Sequence, residues 1–126
     1  MNIIILDSKT FLWYLQDSKE LSSQAAEILE DSSNTLLLSI ASLGEISIKL
    51  GLGKVSLQNS FSELEEMLQQ LKIEVLPLTF SDTECYLNLL LHHRDPFDRV
   101  LVAQAMNNSL VLMSRGFDAY SIERVW

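Results

Sequence analysis

Cysteine is nearly missing. Cys85 is the one thiol in 126 residues, so no disulfide can staple the fold and the core must hold it. Four glycines and two prolines are too few for a low-complexity chain, and with 48% apolar residues the composition is that of an ordered, compact fold. Long apolar runs are missing as well. The longest, such as residues 36–38 and 87–91, fall far short of the roughly 20 residues that cross a bilayer, which predicts no transmembrane segment. No leader with a basic start, an apolar run and a cleavage site is legible, so the expected compartment is the cytoplasm. Basic charge is scarce too. Nine Lys and Arg against seventeen Asp and Glu give −8, the wrong sign for holding nucleic acid by bulk charge alone. The length suits one domain over residues 1–126, and no linker or internal repeat divides it.

Much of the acidic excess sits in two runs, Glu27-Ile-Leu-Glu-Asp31 and Glu63-Leu-Glu-Glu66, whose helical spacing marks solvated outer faces. Ile3-Ile-Ile-Leu6 is a β-branched run without alternation, the pattern of a strand buried on both faces of a parallel sheet. Thr35-Leu-Leu-Leu-Ser39, Ile73-Glu-Val-Leu76, Leu110-Val-Leu-Met-Ser114 and Ile122-Glu-Arg-Val125 are further candidate strands, mostly separated by helical patterns. That alternation predicts an α/β fold. Ser60-x-x-Glu63 and Ser81-x-x-Glu84 fit capping boxes, in which side chains satisfy the first free amides of a helix. Asp95-Pro96-Phe-Asp98 is a third start, with Asp95 as N-cap and Pro96 where a missing amide costs nothing, and its helix runs to about Asn108. Residues 51–59 lose helical periodicity and read as a loop.

Three acids stand where a solvated face is not the natural account. Asp7 follows the first strand at its carboxyl end, where doubly wound sheets bind ligands; capping the next helix is its structural alternative. Glu45 lies six residues past Ser39, roughly 9 Å up the following helix. Its neighbours Ile40, Leu43, Ile46, Ile48 and Leu50 predict a semi-buried carboxylate in need of a partner, with Lys49, four residues on, as the structural one. Asp98 opens the helix into the fourth strand, and such helix starts lie at the carboxyl edge of the sheet in right-handed crossovers. Its bland account is a dipole-favoured acid paired with Arg94 or Arg99.

Three carboxylates from distant sequence are therefore expected to converge on one sheet edge. That arrangement suits Mg²⁺ or Mn²⁺, hard cations that take carboxylates and keep waters, and that activate a water for attack on a phosphodiester. Such ions also offset the negative site locally, so net charge does not exclude a polyanionic substrate. Lys9, Lys49, Arg94, Arg99 and Arg115 fall near sheet-edge turns or helix ends, where they either contact phosphate or balance the acids. His92 and His93 are adjacent, with no i, i+4 partner and no nearby cysteine, and read as surface residues rather than a transition-metal site. Phe11, Leu12, Trp13, Tyr14 and Leu15 put apolar groups on every side of the first helix, which implies either a partner surface or core packing against neighbouring helices.

Four blocks carry a resemblance over the whole chain: Leu6-Asp-Ser-Lys-Thr-Phe-Leu-Trp13, Ser39-x-x-Ser42-x-x-Glu45-Ile-Ser-Ile-Lys49, His93-Arg-Asp-Pro-Phe-Asp-Arg-Val-Leu-Val-Ala-Gln-Ala105 and Phe117-Asp-Ala-Tyr-Ser-Ile-Glu-Arg-Val-Trp126. Together they resemble the PIN-domain family, and within it the VapC-like toxins of bacterial toxin–antitoxin pairs. The resemblance implies a three-layer α/β/α fold with a central, mostly parallel sheet of about five strands. It implies a Mg²⁺- or Mn²⁺-dependent endoribonuclease acting on RNA, a homodimer, and neutralisation by a cognate antitoxin. Asp7, Glu45 and Asp98 are then the catalytic, metal-holding acids. A fourth acid is expected in the turn that reads Ser114-Arg115-Gly116; Gly116 cannot hold a metal, and Asp118, two residues on, is the candidate substitute. Lys9, Ser39, Arg99, Ser114 and Arg115 are the candidate substrate contacts. A catalytically impaired PIN-like module acting through protein partners is the alternative that Gly116 favours. Phosphatase or receiver-type phosphotransfer also starts from an Asp after the first strand, but the phosphatase pattern wants a second Asp where Lys9 stands.

Overall fold

In the computed structural model, which describes residues 2–89, 95–115 and the backbone of 124 and 125, the apolar run Ile3–Leu6 forms β1 at the middle of a sheet. Along the chain follow α1 (Ser8–Leu15), α2 (Ser23–Glu30), β2 (Thr35–Ser39), α3 (Ile40–Gly51) and a 3₁₀ turn (Phe61–Glu63) that runs into α4 (Leu64–Gln70). Then come β3 (Ile73–Leu76), α5 (Phe80–Leu87), α6 (Pro96–Asn107), β4 (Val111–Met113) and β5 (Arg124–Val125). The sheet has five strands in the order β3-β2-β1-β4-β5, and every neighbouring pair is parallel. The expected three-layer α/β/α architecture is thus observed.

Inside β1, alternate residues feed two cores. Ile4 and Leu6, with Leu36, Leu38 and Met113, pack on one face against Phe11, Ala25, Leu29, Ile46, Leu64 and Leu68. Ile5, Leu37 and Leu112 pack on the other against Leu101, Val102 and Ala105 of α6. Both faces are covered, which is why the strand sequences show no polar alternation. Each fully buried side chain of this kind stabilises the fold by about 1.5–3 kcal/mol, so the central strands need little polar support.

Scarce glycine shows in the turns. Asp17, Lys72 and Ser109 each sit two residues past the end of a helix (α1, α4 and α6), with φ of 52°, 58° and 55°. Glycine is the usual occupant of that left-handed position, and a side chain there costs about 1–2 kcal/mol.

The second capping box differs from the expectation. α5 starts at Phe80 rather than after Ser81, because Thr79 is its N-cap: Thr79 Oγ1 accepts from the Asp82 amide at 3.1 Å and Asp82 Oδ2 accepts from the Thr79 amide at 3.0 Å. The remaining capacity of the Asp82 carboxylate is filled from α6, by Gln104 Nε2 at 3.2 Å, Asn107 Nδ2 at 2.8 Å and Asn108 Nδ2 at 2.9 Å. That cross-helix anchor places the box two residues earlier than Ser81-x-x-Glu84. The other starts stand as expected: Glu63 Oε1 accepts from the Ser60 amide at 3.4 Å, and Asp95 Oδ1 accepts from the Phe97 amide at 2.9 Å. Among the described residues no helix is long and apolar enough to cross a membrane.

Candidate active site

The strand order reverses beside β1: the chain builds β2 and β3 on one side and then crosses to β4 and β5 on the other. A crevice outside the carboxyl ends of the strands forms at such a switch point. Leu6 is in register with Leu38 of β2 and Met113 of β4, so Asp7, Ser39 and Ser114, one residue beyond each, come level at this edge. All three are buried. Asp7 also caps α1, its Oδ1 accepting from the Thr10 amide at 2.8 Å, which leaves Oδ2 outside that cap. Ser39 caps α3, its hydroxyl accepting from the Ala41 amide at 3.1 Å.

Glu45 reaches the same edge from the second turn of α3. It is 4% exposed, more deeply buried than the apolar pattern suggested, and both carboxylate oxygens are engaged. Ser8 Oγ donates to Oε1 at 2.6 Å, and Lys49 Nζ lies 2.8 Å from Oε2. The Ser8 contact ties the Asp7-Ser8 corner to α3 across 37 residues of sequence. One turn before Glu45, on the same helical face, Ser42 is buried and its hydroxyl has no partner among the described residues.

Asp98 enters from the first turn of α6, which packs on α3. The negative charges of Asp95 and Asp98 both act on Lys49. The hydrogen bond to Glu45 holds the Lys49 ammonium above the usual lysine range, partial burial opposes it, and the charges of Glu45, Asp95 and Asp98 add to the rise. Lys49 therefore touches the acid of α3 and feels the charges at the start of α6.

The expected convergence is only partly realised. Among the described residues, no three His, Cys, Asp or Glu side chains form a group able to hold a metal ion. The donors present, carboxylate and hydroxyl oxygens, fit a hard divalent cation in kind. Their arrangement is instead one in which an internal ammonium answers the Glu45 charge. Gly116, Asp118, His92, His93 and Arg94 lie outside the described residues.

The predicted substrate contacts separate. Lys9 is exposed in the first turn of α1, next to Ser8. The Arg99 guanidinium stacks over the Tyr86 ring at 4.7 Å, and its Nε is buried without a partner among the described residues. Arg115 lies 5.1 Å over the Trp13 ring and binds Glu20, with Nη2 2.8 Å from Oε2. Trp13 thereby acquires a local role, while Phe11 is fully buried and Leu12, Tyr14 and Leu15 pack against the core, so core packing accounts for much of the first helix's apolar surface. A groove of about 480 Å³ between α4 and β3 is lined by Glu65, Leu68, Lys72 and Val75, and no candidate site residue lines it. Ser8 is the contact that sequence reasoning missed. It follows from the pairing of two adjacent strands, one followed by Ser8 and the other by the helix of Glu45, which no local pattern in the sequence reveals.

The PIN domain family model matches residues 4–125. The chain belongs to the PIN domain family. Curated proteins give no match. Among solved structures, this PIN domain is similar to VapBC2 from Rickettsia felis bound to a DNA fragment from their promoter, with a TM-score of 0.69 at 14% identity over 98% of this chain and 97% of that one. It is also similar to FitAcB from Neisseria gonorrhoeae, with a TM-score of 0.63 at 20% identity over 96% and 95% of the two chains. A third likeness is to VapBC-5 of the VapBC family of toxin–antitoxin systems from Mycobacterium tuberculosis, with a TM-score of 0.62 at 14% identity over 99% and 98%. At these identities the PIN fold is what is shared.

Proposed function

We propose that this PIN domain, spanning residues 1–126, is the endoribonuclease toxin of a toxin–antitoxin pair, cytoplasmic and homodimeric, hydrolysing RNA phosphodiester bonds with Mg²⁺ or Mn²⁺. The observation that carries the reading is Glu45. A carboxylate on an apolar helix, buried at the switch-point edge and held by Ser8 beside Asp7, is costly for stability alone, and such groups concentrate at functional sites. The toxin–antitoxin complexes among the similar structures support a cognate antitoxin as the protein partner.

In this reading Asp7, Glu45 and Asp98 hold the ion, with Asp118 as a further candidate. The bound ion supplies a polarised water and positive charge at the scissile phosphate. The chain's own residues do the positioning. Ser8 fixes one oxygen of Glu45, the α1 cap fixes one oxygen of Asp7, and Asp95 fixes the start of α6 and with it Asp98. Lys9, Ser39, Arg99, Ser114 and Arg115 are the proposed contacts to RNA, and Arg115 must leave Glu20 to make one.

The test is cleavage of mixed cellular RNA by purified protein with Mg²⁺ or Mn²⁺, with chelator and Glu45→Gln as controls. Metal-dependent cutting that Glu45→Gln abolishes is the expected result. A second reading, a catalytically impaired PIN module acting through its partners, is favoured by the lack of a three-acid group among the described residues and by Gly116. A folded chain that neither cuts RNA nor binds metal in calorimetry selects it.

A further inference from the structure

Two features meet at Lys49. Its ammonium lies 2.8 Å from Glu45 Oε2, with the charges of Asp95 and Asp98 acting on it from α6. On the other side of the same carboxylate, Ser8 already donates to Oε1, and the nearby Ser42 hydroxyl is buried without a partner among the described residues. The site thus carries its own neutralising charge and has an uncommitted oxygen beside it. A divalent cation and an ammonium on the same carboxylate repel each other across it, so each weakens the other's hold on the acid. Partial exposure, 38% for the Lys49 side chain, gives the ammonium a route outward.

We propose that Lys49 is a built-in counter-ion of the PIN site: it holds Glu45 while the site is free of metal, is displaced when a divalent cation binds, and so sets the metal affinity. The proposal rests on the metal-dependent reading above and deepens it. That repulsion couples the Lys49–Glu45 contact to metal binding thermodynamically, each opposing the other. The displaced ammonium stays tethered at the site's rim, where an incoming phosphate supplies its next partner.

The experiment is calorimetric titration of chelator-stripped protein with Mn²⁺ alone, with thermal melts of the same samples, for the wild type, Lys49→Met, Lys49→Arg and Lys54→Met. Lys54 is exposed on the loop after α3, so Lys54→Met makes the same change in net charge away from Glu45. Lys49→Met is expected to bind Mn²⁺ more tightly than the wild type, by about 5- to 150-fold, the usual range for coupled sites. Lys49→Arg is expected to stay near the wild type, and Lys54→Met within about twofold of it, as for a surface change. The metal-free Tm of Lys49→Met should fall and recover on adding Mn²⁺ by more than that of the wild type. Equal or weaker binding by Lys49→Met, or an equal gain in Lys54→Met, overturns the counter-ion role and leaves the metal reading intact. No Mn²⁺ heat and no Mn²⁺-induced rise in Tm in any variant removes the metal reading, and the counter-ion role with it.

Discussion

Replacing Glu45 by glutamine separates a functional carboxylate from a structural one. In the metal-free wild type, the Ser8 hydrogen bond to a charged acceptor is worth about 1.5–3 kcal/mol, against about 1 kcal/mol for a neutral amide, so the substitution loses about 1–2 kcal/mol there. The Lys49 pair adds at most about 1 kcal/mol, because its ammonium is more than a third exposed and screened by solvent. Against these losses stands the desolvation of a carboxylate that is 4% exposed, a penalty of several kcal/mol that the amide does not carry. The terms nearly cancel. Glu45→Gln should therefore leave stability in chelator within about 1 kcal/mol of the wild type, leaning towards a gain. Cleavage should fall by about a hundredfold or more, since a lost metal ligand withdraws several kcal/mol of transition-state stabilisation. Urea unfolding in chelator reads the first quantity and a fluorescent RNA cleavage assay the second. A stability loss of about 3 kcal/mol or more, the range for breaking a buried pair that the fold depends on, refutes the reasoning even if activity also disappears.

Three further outcomes are expected. Ser8→Ala leaves Glu45 Oε1 buried without its donor and should cost about 1–3 kcal/mol in urea unfolding, with reduced cleavage, whereas Ser8→Thr keeps the hydroxyl and should restore both. Asp82→Asn should destabilise by about 2–3 kcal/mol, because burial opposes the Asp82 charge but the donors Asn107, the Thr79 amide, Asn108 and Gln104 outweigh it and hold its carboxyl below the ordinary 3.8. The folded value is the depressed one, so that stability is present above pH 3.8 and lost as pH falls through the lower folded value. The gap between wild type and Asp82→Asn should accordingly shrink in unfolding curves taken below pH 3.8, and a gap independent of pH counts against the assignment. Lys72→Gly relieves a left-handed side chain at φ 58° but loosens the unfolded chain, for a net gain of about 0.5–1 kcal/mol readable as a raised Tm.

Local pattern carried much of the fold. The uninterrupted Ile3-Ile-Ile-Leu6 run signalled a strand covered on both faces, and two helical layers supply that cover. The acidic runs around Glu27 and Glu63 read as solvated faces, and their acids are exposed. The Glu45–Lys49 pair was legible because residues four apart are neighbours on a helix surface and a buried charge needs a partner. What stayed illegible depends on which distant segments pack together. The sequence has two overlapping boxes, Thr79-x-x-Asp82 and Ser81-x-x-Glu84, and local chemistry does not rank them; the asparagines and glutamine of α6 do. In the same way, Ser8 finds Glu45 only because β1 and β2 pair with Leu6 level with Leu38.

Asp7 shows why a structural account and a functional one need not compete. Its cap of α1 occupies Oδ1 and restrains the side chain, which leaves Oδ2 outside the cap for the metal role proposed above. Ser39 and Asp95 repeat the device on α3 and α6: each caps the helix that delivers the next acid, Glu45 or Asp98. Three helix starts are thus fixed at one sheet edge by short polar side chains, and two of those caps are themselves acids. On the proposed reading, the same economy lets a chain of net charge −8 address a polyanion. Its excess charge is spread over outer helical faces and is screened within about 10 Å at ordinary salt, whereas at the edge Lys49 answers Glu45, and in the proposed reading a bound cation answers the acids together. Binding of RNA should then weaken steeply when the metal is withdrawn and only modestly when exposed acids such as Glu27 or Glu66 are neutralised.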